Sequence, residues 1–331
     1  MSQEPVRGVV VPVITPLDPD GEVDEASMAS QVERLVDAGV HGVFVLGTTG
    51  EFPFLTDAQR ALAVRAALGA AAGRIPVLVG VADTATPRVL DHVAAVADLP
   101  IAGVVVTAPF YAATSSPEIR QHFRLIHREV PRLAVYAYEN PPRVNGASLS
   151  TADVMALAEE GAIVGLKDSS GSDARLRQHV LERRRRSLDD FVILTGSELT
   201  VDCALLIGVD GVVPGLGNVD PAGFVRLYDA ARAGDLLAAR AEQERLFELF
   251  DIVTIGTEQP MGGSSRALGA FKAAVQALGG IAHRCTAAPA VQLGDADVAS
   301  VVAVLRRAGL EPSPHAAPTA VTDPAGLLAA R

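Results

Sequence analysis

The 331-residue chain has no tryptophan, four tyrosines, two cysteines and, among its 28 basic residues, only two lysines, Lys167 and Lys272. Each scarcity excludes something. Two cysteines, Cys203 and Cys285, cannot build a disulfide scaffold and fit a reducing compartment. No stretch approaches about 18 uninterrupted apolar residues, and the opening "MSQEPVRG" has no apolar signal core. Neither a membrane span nor a secretory leader is expected, and the expected location is the cytoplasm. Positive charge is in deficit: the formal net charge is −11. That argues against nucleic-acid binding and against attachment to anionic membranes. The one basic run, Arg183–Arg186, reads as a solvated helix end. The seven histidines are scattered, without metal-ligand spacing, so no metal site is expected.

What is abundant is short apolar runs. Hydrophobic residues make up 49% of the chain, ample for a large core. Eight runs recur: "GVVVPVI" (8–14), "GVFVLG" (42–47), "PVLVGV" (76–81), "AGVVVTA" (102–108), "LAVYAY" (133–138), "IVGLK" (163–167), "FVILTG" (191–196) and "GVVPG" (211–215). They are continuous rather than alternating, as in strands buried on both faces of a parallel sheet. Between them lie segments with helical spacing. "DEASMASQVERLVDAG" runs from acidic residues to Gly39, and "TDAQRALAVRAALGAAAG" opens with Thr56 as an N-cap and stops at Gly73. A strand-then-helix unit repeated eight times predicts a (β/α)8 TIM barrel over residues 1–234. An open doubly wound sheet is the alternative, but it calls for a glycine fingerprint after the first strand, and "VITPLDPDG" is not one. Residues 235–308 read as additional C-terminal helices, and the Pro- and Ala-rich 309–331 as a mobile tail.

In such a barrel the chemistry gathers at the C-terminal ends of the strands. The second run ends in "GTTGE", where Gly47 frees the backbone and Thr48 and Thr49 offer hydroxyls and N–H groups to a carboxylate. The fourth leads to Tyr111, the fifth to Tyr138 and then Arg143 in "ENPPRVNG", the sixth to Lys167, the seventh to Gly196. Lysine is the residue that forms imines. Its amine must be neutral to attack a carbonyl, and a desolvated site favours the neutral form. Arginine stays protonated and cannot substitute. A lysine spent so sparingly, at the end of an apolar run, points to a site that needs an amine. The alternative is a buried structural lysine paired with a carboxylate such as Asp168.

Taken together, "GVFVLGTTGE", "YENPPR", "GLKDSSG" and "GVDGVVPGLGNV" resemble, in order and spacing, the dihydrodipicolinate synthase / N-acetylneuraminate lyase family of pyruvate-dependent lyases. The resemblance runs from about Arg7 to about Leu293. It implies that Lys167 forms a Schiff base with pyruvate or another 2-oxo acid, and that Tyr138 relays protons above it. It implies that the Thr48 hydroxyl links the tyrosines of that relay and that Thr49, beside Gly47, holds the pyruvate carboxylate. Tyr111 would project into a neighbouring subunit's site, and Gly196 and Val213 would line the pocket with backbone. The covalent imine on Lys167 would serve in place of any cofactor. Partners would be pyruvate, an aldehyde and further copies of the chain, as a tetramer built from dimers.

The second substrate divides the family. "GTTGE" with Arg143 is similar to the dihydrodipicolinate synthase branch, where the matching arginine binds an aldehyde's carboxylate. That favours condensation of pyruvate with a small acidic aldehyde, as in 4-hydroxy-tetrahydrodipicolinate synthase. "GEFPFLT" and "GLKDSSG" are similar to the 4-hydroxy-2-oxoglutarate aldolase branch, and a sugar-acid aldolase or dehydratase also stays open. Phe110, Glu139, the doubled proline and one extra residue before Gly146 depart from the usual pattern. A reading of another class is an inactive pyruvate-binding regulator; the intact set Lys167, Tyr138, Thr48 and Tyr111 argues against it.

Overall fold

The computed structural model describes residues 4–256 and 261–314. Eight parallel strands close into a barrel in sequence order, β1 (Gly8–Pro12), β2 (Gly42–Val45), β3 (Val77–Gly80), β4 (Gly103–Thr107), β5 (Val135–Glu139), β6 (Gly165–Asp168), β7 (Val192–Thr195) and β8 (Gly211–Val212), with β8 returning to β1. Helices α1 (Glu25–Asp37), α2 (Asp57–Ala71), α3 (Thr86–Ala94), α4 (Ser116–Glu129), α5 (Thr151–Glu159), α6 (Asp173–Arg185), α7 (Val201–Ile207) and α8 (Pro221–Arg232) fill the crossovers. Three more follow: α9 (Leu236–Leu249), α10 (Gly263–Ala277) and α11 (Asp295–Arg307). The architecture is the (β/α)8 barrel with C-terminal helices that the run-and-helix alternation predicts.

Local chemistry sets the boundaries. Asp24 accepts from the Ser27 N–H at the start of α1, and Thr56 with Gln59 forms a capping box on α2. The strands are apolar on both faces because both faces are covered. Side chains alternate: Val9 and Val11 pack outward under the helices, whereas Val10, Phe44, Leu78, Val105, Tyr136, Val192 and Leu194 fill the barrel. Tyr136 plugs the N-terminal end, its hydroxyl accepting from the Val6 N–H at 2.8 Å. A Cβ on Gly165 would stand 2.7 Å from the Tyr136 ring, so glycine is the residue that lets this ring lie across the barrel axis. Two residues later on the same face, above that plug, stands Lys167.

Helix α10 is buried on nearly all sides from Leu268 to Ala277 and packs on α11 and the 3₁₀ turn Phe250–Thr254. Of the expected tail, residues 315–331 lie outside the described residues. Leu310 packs on the core, and the Ser313 N–H donates to Ala277 O at 2.8 Å. The basic run is a solvated helix end at Arg184, Arg185 and Arg186, which are exposed where α6 stops, but not at Arg183. Arg183 is buried, ion-paired with Asp210 and donating to Phe191 O, while Arg185 pairs with Glu182 and Arg186 with Glu159. Its charge is used within the fold. No helix among the described residues is long and apolar enough to cross a membrane.

Candidate active site

Strand register places Tyr138 beside Lys167, and Lys167 beside Leu194, across β5, β6 and β7. Because alternate residues share a face, Lys167 and Tyr138 enter the barrel while their neighbours Asp168 and Glu139 point out under the helices. The Lys167 ammonium lies 3.9 Å from the centre of the Tyr138 ring and 5.0 Å from that of Phe44. Among the described residues no carboxylate lies within 4 Å of it. Asp168 turns away: its Oδ1 accepts from the Ser170 N–H, and its Oδ2 lies 3.8 Å from His179 on α6. The pairing of Lys167 with Asp168 is therefore not formed. Burial pushes His179 down to about 4, so it is neutral beside Asp168 at neutral pH.

The "GTTGE" loop crosses the barrel mouth beside this pair. Leu46 and Glu51 bracket it with φ of 59° each, a left-handed conformation at two non-glycine residues. Gly47 passes directly over Phe44, whose ring a Cβ there would approach to 2.7 Å. The Thr15 hydroxyl holds Gly50 O at 2.7 Å, and the Glu51 carboxylate is buried against Lys272 and the Ala287 N–H. This held loop brings the Thr48 hydroxyl to 3.2 Å from the Tyr138 hydroxyl.

The Tyr138 oxygen also receives the Asn140 amide, whose Nδ2 donates at 2.8 Å. An amide nitrogen only donates, so the phenol's own proton is left for Thr48 or a ligand. Burial pushes the Tyr138 phenol up. The Lys167 charge and the hydrogen bonds with Thr48, Asn140 and Lys167 more than offset this and bring it below the ordinary tyrosine value. Behind β5, Glu139 accepts from Ser148, the Leu149 N–H and Arg175. It thereby anchors the stretch that carries Asn140 and Arg143. Burial, partly countered by Ser148 and Arg175, pushes the Glu139 carboxyl up.

Thr48, Thr49, Tyr138, Asn140 and Arg143 line one cavity of about 330 Å³ at the barrel mouth. Arg143 is exposed at its rim, where Nη1 donates to the Ser264 hydroxyl at 2.7 Å. Val213 faces the barrel interior, its N–H donating to Thr195 O at 2.8 Å. Gly196 lies so close to β6 that a Cβ would stand 1.9 Å from Ser169 Oγ, and its N–H donates to Asp168 O at 2.6 Å. Tyr111 is not brought to the others within one chain. It is 88% exposed, with φ of 76°, and its carbonyl accepts from Asn145 Nδ2 at 3.0 Å.

Sequence reasoning passed over three polar residues here. Asn140 sits two positions after Tyr138, in "YENPPR", a stretch that carried the resemblance and supplied Tyr138 and Arg143 but no role for the asparagine. Thr107 ends β4 and lines the cavity, its buried hydroxyl without a partner among the described residues. Glu198 follows Gly196 by two and takes the Leu216 N–H at 2.7 Å. Burial pushes its carboxyl up to about 7, against the pull of the Leu216 and Gly215 N–H groups and of Lys167. Their signal was position on the rim, not residue type. Among the described residues no three His, Cys, Asp or Glu side chains are placed to hold a metal ion.

The model of the dihydrodipicolinate synthetase family matches residues 5–306. An uncharacterized DapA-like lyase of Halobacterium salinarum is 36% identical over 264 residues, 80% of this chain and 84% of that protein. A 4-hydroxy-tetrahydrodipicolinate synthase of Sorangium cellulosum is 31% identical over 93% of this chain and 97% of its own length. The crystal structure of YagE, an Escherichia coli K12 prophage protein of the dihydrodipicolinic acid synthase family in complex with pyruvate, superposes with a TM-score of 0.84. It is 28% identical, with 92% of this chain and 99% of that one covered. With a closed eightfold barrel and an inward lysine and tyrosine side by side at its mouth, the chain belongs to the dihydrodipicolinate synthetase family, whose members are lyases.

Proposed function

We propose that this chain forms an imine between Lys167 and pyruvate and makes or breaks a carbon–carbon bond to an aldehyde. The observation that carries the reading is the setting of Lys167. Its amine lies 3.9 Å over the Tyr138 ring, beside a hydroxyl pair, with no carboxylate within 4 Å among the described residues. A neutral amine there attacks the keto carbon, and loss of water leaves an iminium. The iminium nitrogen draws electrons, so the methyl carbon of pyruvate loses a proton and becomes an enamine. The enamine carbon attacks the aldehyde carbon, the aldehyde oxygen takes a proton, and water hydrolyses the new iminium to release Lys167. In this reading the imine is the electron sink and no separate cofactor is called for.

The protons travel over Tyr138 and Thr48. A phenol below its usual range, with its own proton free to move, suits both donation and uptake. Gly47 and Thr49 hold the pyruvate carboxylate, and Gly196 and Val213 shape the floor. Tyr111 acts in a second copy of the chain, which its exposure of 88% and its left-handed backbone support. Arg143 supports an aldehyde bearing a carboxylate, as in the 4-hydroxy-tetrahydrodipicolinate synthase-like condensation; the apolar lining of the rest of the cavity weighs against a short acidic one.

Borohydride reduction with pyruvate, followed by peptide mass mapping, tests the mechanism. A stable adduct on Lys167, lost in Lys167→Ala, is expected. Reaction only with a longer 2-oxo acid moves the assignment to an aldolase or dehydratase of sugar acids. No adduct with any 2-oxo acid rejects the imine.

A further inference from the structure

We infer that the second substrate is an aldehyde with an aromatic or branched apolar body, seated against phenylalanines in the cavity that Tyr138, the neighbour of Lys167, lines. The inference rests on Lys167 being the imine-forming amine.

The cavity has two zones. Its floor is polar: the hydroxyls of Thr48, Thr49, Thr107 and Tyr138 and the amide of Asn140. Its walls are apolar: Phe52, Phe54, Phe110, Phe271, Val144 and Leu268 face the same space. Four phenylalanines in one cavity are a large share of the ten in the chain. They come from unrelated segments: two from the 3₁₀ turn Phe52–Phe54 after the threonine loop, one from the β4–α4 connection and one from α10. Phe52 and Phe271 are almost fully buried, while Phe54 is 46% exposed at the mouth.

Size and charge both favour an apolar guest. A dry cavity of about 150 Å³ lined by Leu, Ile and Phe accepts benzene. A space of about 330 Å³ takes a three-carbon 2-oxo acid on the floor and a ring against the walls. A second carboxylate placed against phenyl rings would shed water with little to replace it. Among the described lining residues the only cation is Arg143, which is exposed and already donates to Ser264. The floor's free hydroxyl, Thr107, lies with the other polar groups near Tyr138, where the 2-oxo acid sits. Polar recognition is thus concentrated on the pyruvate half. The aldehyde half meets carbon.

The test uses the full-length wild-type protein in two steps. Borohydride trapping with pyruvate first registers the Lys167 adduct. Loss of pyruvate is then followed with benzaldehyde, isovaleraldehyde, glyoxylate and succinic semialdehyde. The expected result is kcat/KM at least about tenfold higher for benzaldehyde than for either acidic aldehyde, the scale on which apolar pockets discriminate. Phe271→Ala, and the more exposed Phe54→Ala, are expected to lower that ratio about tenfold. A ratio does not depend on the fraction of protein that folds. If Lys167 is trapped but the acidic aldehydes match or exceed the aromatic one, or neither is consumed, the inference is overturned and the imine mechanism stands. If Lys167 is not trapped, both fall.

Discussion

The two lysines of this chain form an internal control. Both are buried, Lys167 at 6% exposure and Lys272 at 0%. Lys272, on α10, pairs with Glu51 and donates to Cys285 O at 2.6 Å. The second Glu51 oxygen takes the Ala287 N–H at 2.7 Å. Each polar atom there has a partner and the charge is neutralised. Lys167 has two aromatic faces, Phe44 and Tyr138, and no carboxylate within 4 Å among the described residues. Burial alone does not distinguish a reactive amine from a structural one; the partners do. The paired structural lysine that sequence leaves as the alternative for Lys167 is what Lys272 turns out to be. Both lysines nevertheless serve one place, because Glu51 closes the loop that carries Thr48 and Thr49.

Removing each amine tests this contrast most strongly. Lys167→Ala should lower turnover by at least about 10⁴-fold, since no other amine reaches the site, and leave the unfolding midpoint within about 1 kcal/mol of wild type. Lys272→Met should leave Lys167 able to be trapped but cost about 3–5 kcal/mol in urea unfolding, because it strands the Glu51 carboxylate in the core. Adding Glu51→Gln to Lys272→Met should recover much of that loss, since no charge then remains buried. If the double variant is no more stable than the single, the ion pair is not what Lys272 contributes.

The same contrast marks how far sequence reading reaches. The barrel was legible because eight continuous β-branched runs alternate with helical spacing; six observed strands fall inside their runs, and β5 and β6 overrun theirs by one residue, Glu139 and Asp168. Lys167 and Tyr138 were legible because strand ends carry the chemistry and lysine is rare. Lys272 was not, because its partner lies 221 positions away in the loop after β2, and no periodicity reports such a pairing. The phenylalanine walls were hidden for the same reason. Phe54 and Phe271 belong to segments with different reasons to be apolar, and only the packing of α10 over the barrel mouth brings them to one cavity. Asn140 looked like part of an irregular loop. Its meaning appears only when Glu139, pinned by Ser148 and Arg175, turns the next residue inward.

Asn140 is the next point at which to sharpen the comparison: beside Lys167 a side-chain amide donates to a phenol, where beside Lys272 a backbone N–H donates to a paired carboxylate. Asn140→Val should raise the Tyr138 phenol, because the donated hydrogen bond favours the phenolate. Ultraviolet difference titration, with Tyr138→Phe as the reference, should show one tyrosinate transition moved to higher pH. Loss of a hydrogen bond of about 1 kcal/mol should lower kcat roughly fivefold, with KM for pyruvate little changed. If the transition moves to lower pH instead, the amide accepts from the phenol, and Tyr138's proton is pinned on Asn140 rather than free for Thr48.

The smallest expected effect concerns Glu198, the carboxyl whose surroundings set it against Lys167 without a direct contact. Its folded-state value of about 7 stands above the ordinary carboxylate value of 4.5. For an acid raised on folding, the stabilising contribution is complete below about pH 4.5 and is lost as pH rises through about 7. Glu198→Gln keeps the oxygen that accepts from the Leu216 N–H and removes the charge. The variant should therefore melt close to wild type at pH 4.5 and about 2 °C above it at pH 8. An equal difference at both pH values would mean that Glu198 titrates as an ordinary surface carboxylate. A variant less stable at pH 8 would mean that the ionised carboxylate, held by the Gly215 and Leu216 N–H groups and drawn by Lys167, is the form the fold prefers. Lys167 would then have an anionic neighbour after all, and its contrast with Lys272 would be one of distance rather than of kind.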